Sequence, residues 1–132
     1  NWREEVRACT DVTGFGLIGH LSEMIDDDRV GVTVEISQVP FLERAEEFCS
    51  QGLSPGGGYR NRDYFGPRLL GDDLVDPILR DLLFDPQTSG GLLLAVAPTG
   101  VETVIRAFNS IGAGCWPVGR FDDDNPGRIV LL

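Results

Sequence analysis

Leu17-Ile18-Gly19-His20-Leu21-Ser22-Glu23-Met24-Ile25, followed closely by Val32-Thr33-Val34-Glu35-Ile36-Ser37, sets a helical pattern beside a strand pattern. Leu17, Ile18, Leu21, Met24 and Ile25 stand at offsets 0, 1, 4, 7 and 8, which is one face of an amphipathic helix. Asp26, Asp27 and Asp28 crowd the end of that pattern, where the helix dipole disfavours anions, so the helix stops near there. Residues 32–37 alternate with period 2 and predict a strand with one buried face.

Outward from this pair the same alternation of helices and strands continues. Pro40 suits a first helical position. Phe41, Leu42, Ala45, Phe48 and Cys49 then repeat the 0, 1, 4, 7, 8 spacing, predicting a second helix stopped by Gly52. Residues 52–72 carry Ser54-Pro55-Gly56-Gly57-Gly58 and predict an irregular segment. Within it, 54–72 reads as an open, mobile, ligand-facing loop, with Asn61 able to cap a short helical turn. Asp76-Pro77 reads as an N-cap and N1 proline before the face Ile78, Leu79, Leu82, Leu83. Leu92 to Ala97 is an unbroken apolar run, predicting a strand covered on both faces. Val101, Val104, Ile105, Phe108 and Ile111 predict a fourth helix ended by Gly112. Cys115 to Phe121 and Arg128 to Leu132 read as two closing strands, with 122–127 as a solvated hairpin turn. The expected fold class is α+β: one mixed β-sheet packed with α-helices.

Composition narrows the function. The 132 residues amount to about one domain on a prior of ~100–200 residues, and 1–132 is expected to form a single domain. The formal net charge is −10, with no basic stripe of the kind a nucleic-acid binder shows. No apolar run approaches the ~20 residues that span a bilayer. All 11 basic residues are arginine, which excludes a Schiff-base lysine, a P-loop lysine and a lysine general base within the chain. The single histidine excludes a multi-histidine metal cage. Cys9, Cys49 and Cys115 form no C-x-x-C pair and read as reduced, partly buried thiols of a cytosolic protein. The chain starts at Asn1 without an initiator Met, and is expected to be a piece of a longer protein.

Two segments join glycines to small polar residues at element boundaries. Thr10-Asp11-Val12-Thr13-Gly14-Phe15-Gly16 precedes the first helix. It reads either as a capped helix start or as a site where backbone N–H groups meet an anion and Asp11 ligates Mg²⁺. Asp85-Pro86-Gln87-Thr88-Ser89-Gly90-Gly91 precedes the apolar strand. It reads either as a turn with tight helix–sheet packing or as part of the same site. His20 reads as a packed or hydrogen-bonded side chain. The spacing of acids in 122–127 does not make an EF-hand loop. Arg60 and Arg62 beside the triple glycine either grip an anion or sit as ordinary surface charges.

Together these segments carry a resemblance. Ala8 to Met24, with its TDVTGFG string, resembles the opening of the C-terminal domain of selenophosphate synthetase (selenide, water dikinase). Leu83 to Leu94, containing DPQTSGG, resembles the second signature of that family, and Gly56-Gly57-Gly58-Tyr59-Arg60-Asn61 is similar to its GG-x-x-RN loop. The wider superfamily includes aminoimidazole ribonucleotide synthetase, thiamine-monophosphate kinase and a hydrogenase-maturation protein. The resemblance implies a two-domain cytoplasmic enzyme that turns ATP, selenide and water into selenophosphate, AMP and phosphate. It implies that the N-terminal domain, with its reactive cysteine or selenocysteine and its lysine, is a partner outside this chain, and that the full-length protein is a homodimer. It places Asp11 as an Mg²⁺ ligand reaching the ATP phosphates, and Thr13, Gly14, Thr88, Ser89, Gly90 and Gly91 near them. It assigns no catalytic residue to this chain, which alone is expected to be inactive. Two alternatives remain: a free-standing binding or regulatory module of the same fold, and the C-terminal domain of another ATP-dependent enzyme of the superfamily.

Overall fold

The helical face at 17–25 finds its counterpart in a sheet. The computed structural model describes residues 1–25 and 29–132. Helix α2 (Gly16–Met24) buries Ile18 and Leu21, with Ile25 just beyond its end. These meet Val32 and Val34 of β2 (Gly31–Val34), Leu69 of β3 (Leu69–Leu70), and Ile129 and Leu131 of β6 (Ile129–Leu131). Leu83 and Phe84, each 1% exposed, complete the same cluster from the far end of α5 (Pro77–Leu82). Each such side chain contributes about 1.5–3 kcal/mol on burial. The expected stop of the first helix holds, since the helical residues end at Met24; the three aspartates credited with it lie outside the described residues.

The four-stranded sheet has the order β3-β6-β2-β5, with β5 spanning Gly119–Asp122. β6 runs parallel to β3 and β2, and β5 runs antiparallel to β2. The α+β class and the mixed sheet therefore stand. The two closing strands do not form a hairpin: β2 lies between them, so 122–127 links strands that are not neighbours. β2 is also buried at all four residues, not on one face only, because it is an interior strand with a helix against it.

Three further expectations are corrected. The chain forms a second sheet of two antiparallel strands, β1 (Val6–Asp11) and β4 (Leu92–Val96). A short helix α1 (Trp2–Glu5) leads into β1, and neither element had a periodic signal in the sequence. The apolar strand β4 is not covered on both faces, and Leu92 is 61% exposed. The helix after Pro40 is only the six residues of α3 (Ala45–Ser50), because Arg44 adopts a left-handed φ of 65° and breaks the turn before it. Cys49 is buried on that helix, as its spacing required. The fourth helix is α6 (Val101–Asn109).

The largest departure is at 52–72. Instead of an open loop, residues 56–65 form α4 (Gly56–Phe65). Its glycines serve close approach: a Cβ at Gly57 would lie 2.9 Å from Cγ of Pro86. α4 is held by its far neighbours, and tertiary packing overrides a poor intrinsic helix propensity.

Two measurements check this arrangement. The 132-residue chain should melt cooperatively with a defined near-UV circular dichroism signal. Ile129→Ala, which empties the centre of the four-stranded sheet, should cost about 2–5 kcal/mol by urea titration.

Candidate functional site

The two glycine-containing motifs meet at one end of the β1–β4 ladder. Asp11, the last residue of β1, stands opposite Leu92. Just beyond it, the Val12 amide donates to the Gly91 carbonyl at 2.9 Å and the Gly90 amide donates to the Val12 carbonyl at 2.9 Å. The Thr13 carbonyl then accepts from the amides of Gly16 and Gln87, both at 3.0 Å. The chain turns at Gly16, whose φ of +69° favours glycine and where a Cβ would lie 2.8 Å from the Phe84 carbonyl carbon. The amide of Ile18 donates to the Leu83 carbonyl at 3.2 Å, so the first turn of α2 is tied to the segment ahead of the second motif.

A third motif closes the set. Asn61, buried in the middle of α4, donates through Nδ2 to the carbonyl of Gly14 and to the carbonyl of Phe84, each at 2.9 Å. One amide group thus bridges both segments. The sequence reading took Asn61 for a helix cap, and its position in the GG-x-x-RN string was the only signal of a larger role.

All of the predicted site residues are brought together. Asp11, Gly14, Thr88, Ser89, Gly90 and Gly91 are exposed at this end of the ladder and Thr13 is half-buried. Thr88 and Ser89 are exposed in the segment between Gln87, whose amide meets Thr13, and Gly90, whose amide meets Val12, so hydroxyl oxygens stand at the same end of the ladder as the exposed Asp11. That donor chemistry suits Mg²⁺. Asp11 is one carboxylate: among the described residues no group of three or more His, Cys, Asp or Glu side chains is gathered into a metal cluster.

His20 is packed and hydrogen-bonded, as expected. It is buried on α2, with Nε2 3.0 Å from the Thr13 amide nitrogen and Nδ1 3.0 Å from Oε2 of Glu23. Arg62 pairs with Asp81 at 3.1 Å and lies over the Tyr59 ring, while Arg60 is exposed. Asp85 opens the second motif and accepts from Nε2 of Gln87 at 2.8 Å. Burial pushes its carboxyl above the ordinary value of 3.8, and the Gln87 hydrogen bond pulls the other way. Of the thiols, Cys9 is exposed on β1, against the expectation of partial burial, because the two-stranded ladder has an open face. Burial pushes the half-buried Cys115 thiol up, which keeps it protonated and inert.

A concavity of about 540 Å³ lined by Ile36, Val39, Phe41, Arg44 and Leu79 lies away from these motifs. A small hollow lined by Gly58, Tyr59, Arg62 and Asp85 lies between two of the motif segments, while Asp11 and residues 88–91 are exposed.

The sequence matches the family model described as AIR synthase related protein, C-terminal domain, over residues 1–131. The chain belongs to this family. Among its relatives are proteins named selenide, water dikinase: one from Pelobacter propionicus at 46% identity over 127 residues, one from Bordetella bronchiseptica at 43% over 129, and one from Enterobacter sp. strain 638 at 50% over 126. Each alignment covers 96% of this chain, but only 36% of the first two relatives and 35% of the third. The resemblance read from TDVTGFG and DPQTSGG is borne out at the level of these relatives. No helix among the described residues is long and apolar enough to cross a membrane.

The three segments therefore meet through one side chain, which can be tested directly. Asn61→Ala should cost about 1–3 kcal/mol, most of it from the buried Phe84 carbonyl left without a donor, since water can reach the exposed Gly14 side. Asn61→Asp should cost more, since an ionised carboxylate has no proton to offer either carbonyl.

A second test concerns Asp85. A raised carboxyl pKa means that the folded state binds more protons than the unfolded state, so stability falls as pH rises upward from 3.8 through the folded value. Asp85→Asn keeps an acceptor for Gln87 and should flatten that slope in melts run across the acidic range. An unchanged slope would show that Asp85 is not the linked group.

Proposed function

We propose that residues 1–132 form the single C-terminal domain of a cytoplasmic, ATP-dependent selenophosphate synthetase, which converts ATP, selenide and water into selenophosphate, AMP and phosphate. The observation that carries this reading is the meeting of TDVTGFG and DPQTSGG at one exposed end of the β1–β4 ladder, in a chain of this family. In this reading Asp11 ligates Mg²⁺, and Thr13, Gly14, Thr88, Ser89, Gly90 and Gly91 lie along the ATP phosphates. Bound Mg²⁺ supplies neutralisation of triphosphate charge. The chain's own part is to hold one carboxylate and several oxygen and N–H donors in fixed relation through Asn61 and the paired amides.

The rest of the active site comes from a second domain, and several features support that division. The chain has no lysine, spans 35–36% of those relatives' length, and leaves Asp11 and residues 88–91 exposed. The β1–β4 ladder is a two-stranded ribbon with Arg7, Ala8, Cys9 and Leu92 exposed. Ribbons of two strands are marginal alone and gain stability from further packing. The N-terminal domain of the same protein, covering this face, would wall the active site. Pairing of two full-length copies runs through that domain.

The test is Asp11→Asn in the full-length protein. The change removes a negative charge at nearly constant volume from an exposed position. Selenide-dependent AMP formation should fall by about 10²–10³-fold, the scale of losing one electrostatic contact to a transferring group. The melting temperature should stay within a few degrees. Near-normal turnover would overturn the ligand assignment, and lost turnover with a large drop in melting temperature would make Asp11 a structural residue. The 132-residue chain alone should hydrolyse no ATP, because one carboxylate is too few ligands for an ion that parts reluctantly with its waters.

A further inference from the structure

The most constrained polar group near the motifs is one to which no role in the reaction has been given above. His20 lies beneath the Thr13 turn, buried on α2, with two Thr13 atoms within reach of a single ring nitrogen. Nε2 is 3.0 Å from the Thr13 amide nitrogen and 3.2 Å from Thr13 Oγ1. A backbone N–H can only donate, so Nε2 must accept, and the neutral ring carries its proton on Nδ1. Nδ1 in turn faces Oε2 of Glu23 at 3.0 Å, the acceptor that this tautomer requires.

That assignment decides between two roles. A hydroxyl, an imidazole and a carboxylate in a row resemble a general-base relay, in which Nε2 would take the Thr13 proton. Nε2 has one in-plane lone pair, and the Thr13 amide points at it. The hydroxyl at 3.2 Å can only share the lone pair that the amide holds at 3.0 Å, so its proton is the more weakly held of the two, and Thr13 Oγ1 has no other protein partner among the described residues. We infer that His20, oriented by Glu23, is a positioning residue for Thr13. It holds the Thr13 amide inward and leaves the hydroxyl proton, which only shares Nε2, able to turn outward and donate to an oxyanion beside Asp11.

The other side of Thr13 agrees with this. Its carbonyl is held by the amides of Gly16 and Gln87, so both backbone groups of Thr13 are spoken for and only the hydroxyl remains. The ring of Phe15 lies over His20 with centroids 5.6 Å apart, and limits water access to the imidazole. That the oxyanion is an ATP phosphate rests on the functional reading above; the positioning of Thr13 does not.

The experiment separates the two. In the ¹⁵N-labelled 132-residue chain at neutral pH, the His20 Nε2 resonance should be that of an unprotonated acceptor nitrogen, and the Thr13 amide should be protected from exchange. His20→Leu should speed Thr13 amide exchange by about tenfold or more, the loss of one hydrogen bond, while the β1–β4 ladder amides stay as they were. His20→Gln, which retains an acceptor at a similar reach, should restore most of the protection. A proton on Nε2 in the unaltered chain overturns the assignment, and so does a folded His20→Leu chain with unchanged Thr13 exchange. Should His20→Leu fail to fold, the Nε2 resonance and His20→Gln still decide, because loss of Thr13 protection in His20→Gln also overturns it. In the full-length protein, Thr13→Val should raise the KM for Mg-ATP about tenfold with a smaller change in kcat, and Thr13→Ser should not. An intact Nε2 signature with an unchanged KM in Thr13→Val would leave His20 as the positioning residue and overturn the phosphate as the hydroxyl's partner.

Discussion

The Asn61 side-chain amide is the constraint on which this end of the molecule depends. Its two N–H groups are shared between the Gly14 and Phe84 carbonyls, which belong to segments about 70 residues apart in sequence. The Phe84 carbonyl would otherwise be buried without a partner, and a buried polar group in that state is expensive, while the exposed Gly14 carbonyl is the end of the pair nearer water. The bond pair therefore sets the distance between the turn into α2 and the turn after α5. Every other contact between the two motifs, from the Val12–Gly91 pair to the Gln87 amide on Thr13, falls within the frame so fixed.

The frame is stiff on its inner side and open on its outer side. Leu83 and Phe84 anchor the second motif in the main core, and Ile18 anchors the first from α2. Close packing there leaves little room for either turn to shift. Four and five residues past Phe84, Thr88 and Ser89 are exposed, as is Asp11. A rigid scaffold presenting polar groups at loop tips is the common arrangement for binding residues. Here it also explains the odd position of the apolar strand β4. Its ladder with β1 carries the site at one end and remains a two-stranded ribbon, half-covered by the chain's own residues.

Much of this was readable in advance, and the failures share a cause. The face of α2 follows helical periodicity, because that helix buries Ile18 and Leu21 against the core and that stripe is written in the sequence, whereas α5 itself buries no residue and α6 only Val104. The segment at 52–72 misled because Ser54-Pro55-Gly56-Gly57-Gly58 has the composition of a loop, while its glycines are there so that α4 can approach Pro86. Leu92 to Ala97 read as a strand buried on both faces, because an apolar run is the same whether its partner is within the chain or beyond it. Cys115 to Phe121 and Arg128 to Leu132 read as a hairpin because they are near in sequence. Only the burial demand of β2 brings it between them.

The sequence by itself determined the α+β class, the helical faces, the two motif strings and the resemblance that they carry. It did so because local periodicity and short ordered strings are properties of neighbouring residues. Tertiary structure alone decided which motif residues meet. Asn61 reads as a cap for a short helical turn until Gly14 and Phe84 are placed on either side of it. His20 reads as a packed histidine until the Thr13 amide fixes which of its nitrogens must accept. Hydrogen bonds between residues distant in the chain leave no period in the sequence, so their geometry exists only once the core has closed.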